Sequence, residues 1–238
     1  MGALSLALTV VVWLRERRRG IQWLATAVLL AVIAQGVLGG LRVLLVSPHL
    51  AMVHAVMAQT FFGLTVALAV ISSPRWRSPG SSAPAARSLI WPIAPAATAL
   101  VYVQMILGVI TRHTRMATAE HITGAMLVFL AAVFIVYETS RNHAGDRALV
   151  GTAWTMLALC MAQFATGLTA LVMRADRLPD APLTALQAAA PTAHVTLGAL
   201  IFGAGIVLTL CAWKRRQPEH NRTPALAPTP SAQSSAQA

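Results

Sequence analysis

Charge is scarce in this chain. Asp, Glu, Lys and Arg make up 11% of its 238 residues, about half the share found in soluble domains. Stretches of about ten residues that alternate in polarity, the mark of barrel strands, are missing. So are HExxH, CxxC and any carboxylate at metal-ligand spacing, which leaves zinc a weak reading. Cysteine occurs twice, as Cys160 and Cys211. Neither is placed as the disulfide of an exported domain would be, and both read as small packing residues.

What fills the chain is apolar. Hydrophobic residues are 57% of it and the mean hydropathy is +0.67. They fall in runs at 22–45, 50–72, 93–111, 120–137, 149–172 and 191–213, each close to the roughly 20 residues that cross a bilayer as a helix. A shorter run covers 3–14. An all-α integral membrane protein with seven transmembrane segments is expected, the first one partial. The basic flank of 3–14 follows the apolar run, whereas a signal peptide has its basic region first. The run reads as the inner half of a helix whose outer half is absent.

The net charge of +11 suggests nucleic acid until its placement is considered. Arg15, Arg17, Arg18, Arg19, Arg75, Arg77, Arg87, Arg141, Arg147, Lys214, Arg215, Arg216 and Arg222 occupy alternate connections and the tail. The opposite side receives Arg42, Arg112, Arg115, Arg174 and Arg177. Thirteen against five is a positive-inside bias. It puts the C-terminus in the cytoplasm and the N-terminus outside, and implies no nucleic-acid partner.

Residues 73–92, rich in Ser, Pro and Arg, divide the chain into an N-terminal half, 1–72, and a C-terminal four-helix half, 93–213. Residues 214–238 read as a disordered cytoplasmic tail. A repeat runs through both halves. Outward-running segments carry Gln-x-x-x-Gly: Gln35/Gly39, Gln104/Gly108 and Gln163/Gly167. Each following inward segment carries a histidine near its outer start: His54, His121 and His194. The unit occurs three times, and 3–14 is the inward half of a fourth. Two pseudo-symmetric four-helix bundles are the natural completion.

Ionisable groups inside membrane helices are costly and usually functional. One such histidine is as readily a packing residue as a ligand; three at matched depth point to a shared role. Paired imidazoles from facing helices suit heme iron. A flat macrocycle needs backbone close by, and small residues share the histidine faces: Ala58 with His54, Gly124 with His121, Gly198 with His194. Gly and Ala also allow close helix packing on their own account. A non-heme iron triad would require a converging carboxylate, and nothing in the spacing of Asp176 or Asp180 demands it. Arg42, Arg112 and Arg115 lie at the outer level. They either pair with heme propionates or snorkel to headgroups. His49 and His113 read as interfacial, and His143 and His220 as solvated cytoplasmic residues.

The strings AQGVLGGLRV, VHAVMAQTFFGL, LGVITRHT and AHVTLGALIF, with outer histidines on alternate helices, resemble the heme A synthase family over nearly all of residues 20–213. That resemblance implies a multi-pass enzyme of the cytoplasmic (inner) membrane. It would oxidise a methyl group of heme O to a formyl group by successive hydroxylations. It implies a heme b held by His121 and His194, with Arg112 and Arg115 beside the cofactor, and heme O received as substrate at His54. It further implies an electron donor and contact with a heme O synthase or with terminal (cytochrome) oxidase assembly; a homo-oligomer is compatible with it. The family's Glu-x-x-His-Arg-type segment, which supplies the first N-terminal histidine, has no counterpart here. Either the start of the reading is misplaced or the chain is a variant lacking half of its substrate site. An outer-loop Cys pair of some relatives is also absent. The alternatives are a non-catalytic bis-histidine membrane cytochrome of b type, and a transporter or scaffold using its histidines for packing.

Overall fold

The computed structural model describes residues 1–77, 88–114, 116–175 and 182–216. Among the described residues every regular element is a helix: α1 (Gly2–Arg15), α2 (Arg19–Leu44), α3 (Pro48–Ser72), α4 (Pro74–Arg77), α5 (Ile90–Thr114), α6 (Thr118–Asn142), α7 (Arg147–Ala175) and α8 (Ala185–Arg216). Six of them, α2, α3, α5, α6, α7 and α8, are long and apolar enough to cross a bilayer, as in a multi-pass membrane protein. Helix α1, with 14 residues, is about 21 Å long and falls short of the roughly 30 Å hydrocarbon layer.

Lipid explains both the helices and their exposed surfaces. Within hydrocarbon the backbone must satisfy its own polar groups, which a helix does internally. Hydroxyls on these helices fold back in the same way. Thr60, Thr65, Thr98 and Thr139 each donate to the carbonyl one turn earlier, at 2.8–3.2 Å. Large apolar side chains such as Leu30, Leu130 and Leu168 stay more than half exposed, costly in water but not in lipid.

Helices α5, α6, α7 and α8 contact one another in cyclic order, while α2 packs between α1 and α3. The buried apolar core of the cyclic set is confined to one end. It is built from Ile90, Ala94, Ala97 and Val101, then Val128, Ala132 and Ile135, then Leu149, Ala153 and Met156, and Leu208 and Ala212. Apart from Val128, which sits near the middle of α6, these lie in the helix halves nearer the arginine-rich connections, called here the basic end. The other end, where His121 and His194 lie, has no comparable plug.

The two parts of the chain meet along α3 and α8, with α5 alongside. The seam is reciprocal. A Cβ on Gly63 would lie 2.7 Å from Cε1 of Phe202, and a Cβ on Gly203 would lie 3.3 Å from Cε1 of Phe62. Each helix thus offers a Phe-Gly pair, ring into gap. Tyr102 of α5 adds a 2.7 Å hydrogen bond to Thr60 and packs on Phe202, with ring centres 5.4 Å apart.

The basic end carries a polar network that the sequence reading did not anticipate. Helix α5 begins at Ile90, inside the 73–92 stretch read as a linker. Its entry is capped from outside: Glu138, 4% exposed, accepts the Leu89 N–H at 2.8 Å, and Ser88 Oγ accepts the Ile90 N–H. Pro92 then sits in the first turn, where no N–H is required. Part of the same stretch, Pro74–Arg77, is helical as well, while 78–87 lies outside the described residues, as do residues 217–238 of the tail. His143 is not the solvated residue expected from its position. It is half-buried, bonded to Ser88 Oγ at 2.7 Å, beside the Arg215–Asp146 ion pair. His220 lies outside the described residues.

Two predictions follow from this packing. Gly63→Ala drives a methyl into the Phe202 ring and should destabilise the detergent-solubilised protein by about 1–3 kcal/mol. Adding Phe202→Leu should recover part of the loss; a thermal-unfolding double-mutant cycle with no coupling would contradict the reciprocal seam. Burial, with the Arg215 charge, holds the His143 pKa below its ordinary 6.5, and Glu138 offsets this in part. The unfolded chain therefore takes up that proton more readily. The stability that His143 contributes is present above about pH 6.5 and is lost as pH falls below it. His143→Gln should flatten the fall in Tm between about pH 7 and pH 5, measured in parallel with wild type.

Candidate functional site

The three repeat histidines each meet a glycine of the preceding helix. A Cβ on Gly39 would lie 3.1 Å from His54 Cε1, one on Gly108 3.2 Å from His121 Cε1, and one on Gly167 2.8 Å from His194 Cε1. The glycine in each Gln-x-x-x-Gly is therefore the seat of the following imidazole. The glutamine lies one turn away on the same helical face and completes the contact in the C-terminal part. A Cβ on Gly124 would overlap the Gln104 amide, and one on Gly198 would lie 3.3 Å from Gln163 Nε2. The small residues three or four positions after His121 and His194 thus make room for glutamine side chains, and the glycines on the preceding helices make room for the rings.

His194 is held most completely. Its Nδ1 lies 3.2 Å from the Gln163 backbone carbonyl, which can only accept, so Nδ1 carries the proton. Thr166 Oγ1 stands 3.5 Å from the same nitrogen. Nε2 is left with its lone pair and faces the Gln163 amide at 3.2 Å. A carbonyl on Nδ1 and a lone pair on Nε2 is the tautomer that ligates metal. His121 Nδ1 is buried without a partner, as are Gln104 Oε1 and Gln163 Oε1. Buried polar atoms left this way cost about 1–3 kcal/mol each.

His121 and His194 face each other across the cyclic set, α6 opposite α8. Their ring centres are 6.2 Å apart and the planes cross at 76°. A metal bound about 2 Å from each of two imidazole nitrogens, themselves roughly 1 Å from their ring centres, separates the centres by about 6 Å. By this spacing alone, a metal ion held by His121 and His194 would find room between the rings. Neither a carboxylate nor a cysteine joins them: among the described residues no group of three or more His, Cys, Asp and Glu is disposed around a metal position.

His54 is seated in the same way on Gly39, and its Nδ1 is buried without a partner, like Gln35 Oε1 and Gln59 Oε1. It differs from the other two in having no imidazole opposite it among the described residues. Helix α1, which flanks α2 on the side away from α3, contains no histidine; its buried polar residues are Ser5 and Thr9, and Thr9 donates to Ser5 O and Ala25 O.

Around the histidine end the basic residues come from both parts of the chain. Arg42 of α2 and Arg112 of α5 lie within electrostatic reach of His113, and Arg174 of α7 donates to Thr111 O at 3.0 Å. Arg112, Arg42, His49 and His113 are exposed. Arg115, Asp176 and Asp180 lie outside the described residues. The sequence reading found the glutamines as a repeat but did not place them against the histidines, and it missed Thr166. The signal was available: Gln and Gly four apart share one helical face, so whatever touches the glycine touches the glutamine.

Glycine substitutions separate seat from surface. Gly124→Ala displaces the Gln104 amide and should cost about 1–3 kcal/mol. Gly151→Ala, on exposed α7 with nothing within 4 Å of the added carbon, should stabilise by about 0.5–1 kcal/mol through helix propensity. Thermal unfolding of the two single variants decides; equal effects would mean that Gln104 does not occupy the Gly124 gap.

In comparisons with known proteins, no protein-family model, no curated protein and no solved structure matches the chain.

Proposed function

We propose that this chain is a heme-binding membrane oxidoreductase of the heme A synthase type, with a heme b held by His121 and His194 and heme O as substrate at His54. The observation that carries the reading is the pair of imidazoles on opposite helices, ring centres 6.2 Å apart, each seated on a glycine. In this reading the helices form two pseudo-symmetric four-helix bundles. The seven segments, the first partial, lie in the cytoplasmic membrane with the basic end and C-terminus in the cytoplasm. The positive-inside bias and the reciprocal α3–α8 seam support that arrangement.

The hemes would supply the electron transfer and oxygen chemistry, which belong to the cofactor. The chain's own residues bind and orient. The Gln163 carbonyl holds the His194 proton on Nδ1, so Nε2 points its lone pair inward. Gly108 and Gly167 let both rings lie close to the backbone of α5 and α7. The apolar plug from Val101 to Leu208 shuts the basic end, so water would reach the site only from the histidine end. Arg112 and Arg115, with Arg42, would pair with propionates there. His54 would orient heme O so that one methyl faces the oxidising centre.

A second reading is a non-catalytic bis-histidine cytochrome of b type. The specific observation in its favour is that His54, unlike His121, has no imidazole opposite it among the described residues.

Co-expression with a heme O synthase, followed by purification, a reduced spectrum and chromatography of extracted hemes, tests both. Heme A in the extract supports the enzyme; heme b alone supports the cytochrome; no heme overturns both. His121→Ala and His194→Ala should each lower bound heme b by about tenfold or more, beyond what loss of an outer-shell partner costs. His54→Ala should leave the b-type spectrum and abolish heme A.

A further inference from the structure

We propose that the Gln163 side-chain amide is a displaceable cap on His194, which retracts into the gap beside Gly198 when Nε2 takes up a metal. This role rests on the reading of His194 as a ligand, and it gives the amide a part in admitting and retaining the bound group.

Once Nδ1 carries the proton, the imidazole has a single lone pair, at Nε2. In this structure that lone pair is in use. Gln163 Nε2 stands 3.2 Å from His194 Nε2, an N–H donor on the one atom from which the ring can ligate. A metal about 2 Å from the same nitrogen cannot share it, so the amide must leave. Little holds the amide in place. Its oxygen, Gln163 Oε1, is buried without a partner, and among the described residues its nitrogen donates to His194 alone. Its departure does not loosen the ring, because Nδ1 is held by the Gln163 backbone carbonyl at 3.2 Å and not by the side chain.

The destination is beside Gly198. A Cβ on Gly198 would meet one heavy atom within 4 Å, Gln163 Nε2 at 3.3 Å. The amide thus borders a space that is otherwise open. The related place on α6 shows such a space in use. The Gln104 amide lies inside the gap at Gly124, where an added Cβ would overlap Nε2 and stand 2.7 Å from Cδ and 3.1 Å from Oε1. Gln104 is accordingly buried, at 8% exposed. The two glutamines occupy two positions of one device: Gln104 sits in its glycine's gap, and Gln163 stands at the mouth of its own, bonded to the imidazole. A glutamine side chain passes between such positions by rotamer changes alone, with no movement of α7.

Heme retention by the purified full chain tests the proposal, followed at the Soret band as heme passes to excess apomyoglobin. Gly198→Ala puts a methyl in the gap and should speed heme loss about tenfold, because the displaced amide has nowhere to go. Adding Gln163→Ala removes the amide but keeps the backbone carbonyl, and should return the rate to within about threefold of wild type. A methyl that only disturbed the packing of α8 would not be rescued in this way. Gln163→Ala alone adds no atoms and covers the case in which the Gly198 variant fails to fold. Purified from heme-deprived cells, it should take up added hemin about fivefold faster than wild type. Heme loss from Gly198→Ala at the wild-type rate, equal loss from the single and double variants, or unchanged hemin uptake by Gln163→Ala overturns the cap and leaves the ligand reading in place. A wild type that takes up no heme overturns the ligand reading and the cap with it.

Discussion

An imidazole inside a lipid-length helix has no water to bond, and the packing of this protein is arranged around that constraint. Each of the three repeat histidines lies on a glycine of the helix before it, close enough that even a methyl group would press on the ring. The glutamine one turn away fills the gap left by a second glycine at Gly124 and Gly198. Polar side chains thus meet polar side chains across neighbouring helices, and the small residues exist to let them do so. The unpartnered nitrogen of His121 and the unpartnered glutamine oxygens mark where that self-sufficiency ends.

The seam between the two parts fixes where the histidines stand. Phe62 and Gly63 follow His54 by eight and nine residues, and Phe202 and Gly203 follow His194 by the same intervals. Because each ring enters the gap left by the other helix's glycine, α3 and α8 cannot slide against each other without a clash. Eight residues of helix are about 12 Å, so the seam holds His54 and His194 at one common depth. The reciprocal contact also relates the Gly39–His54 seat to the Gly167–His194 seat across the seam.

Much of the architecture was legible because lipid imposes few solutions. Run length marked the six long helices to within two turns at each end, and the short first run is the short helix α1. The Gln-x-x-x-Gly and histidine repeat was visible as spacing, and the structure supplies its meaning. What could not be read were contacts between helices far apart in the chain. The Phe-Gly seam is spelled by two common residues in apolar runs, and only its reciprocity makes it informative. Glu138 carries no signal of its own in the sequence. Its role as a cap for α5, 49 positions away, depends on how the chain returns. His143 was misjudged for the same reason: its partner Ser88 lies at the far side of the 78–87 stretch.

The choice of α6 and α8 as histidine carriers follows from geometry. Neighbouring helix axes lie about 8–10 Å apart, too close for two imidazoles to face each other across the interior. Helices opposite each other in a four-membered ring are separated by roughly the diagonal, about 11–14 Å, across which two side chains can reach inward and face each other. The observed separation between ring centres is 6.2 Å. It is preserved because the helices are clamped where the core is dense, at Ile135, Leu149, Met156 and Leu208, and only seated, not plugged, at the histidines. A core extended to both ends would bury the rings against each other, whereas one absent from both would leave their separation undefined.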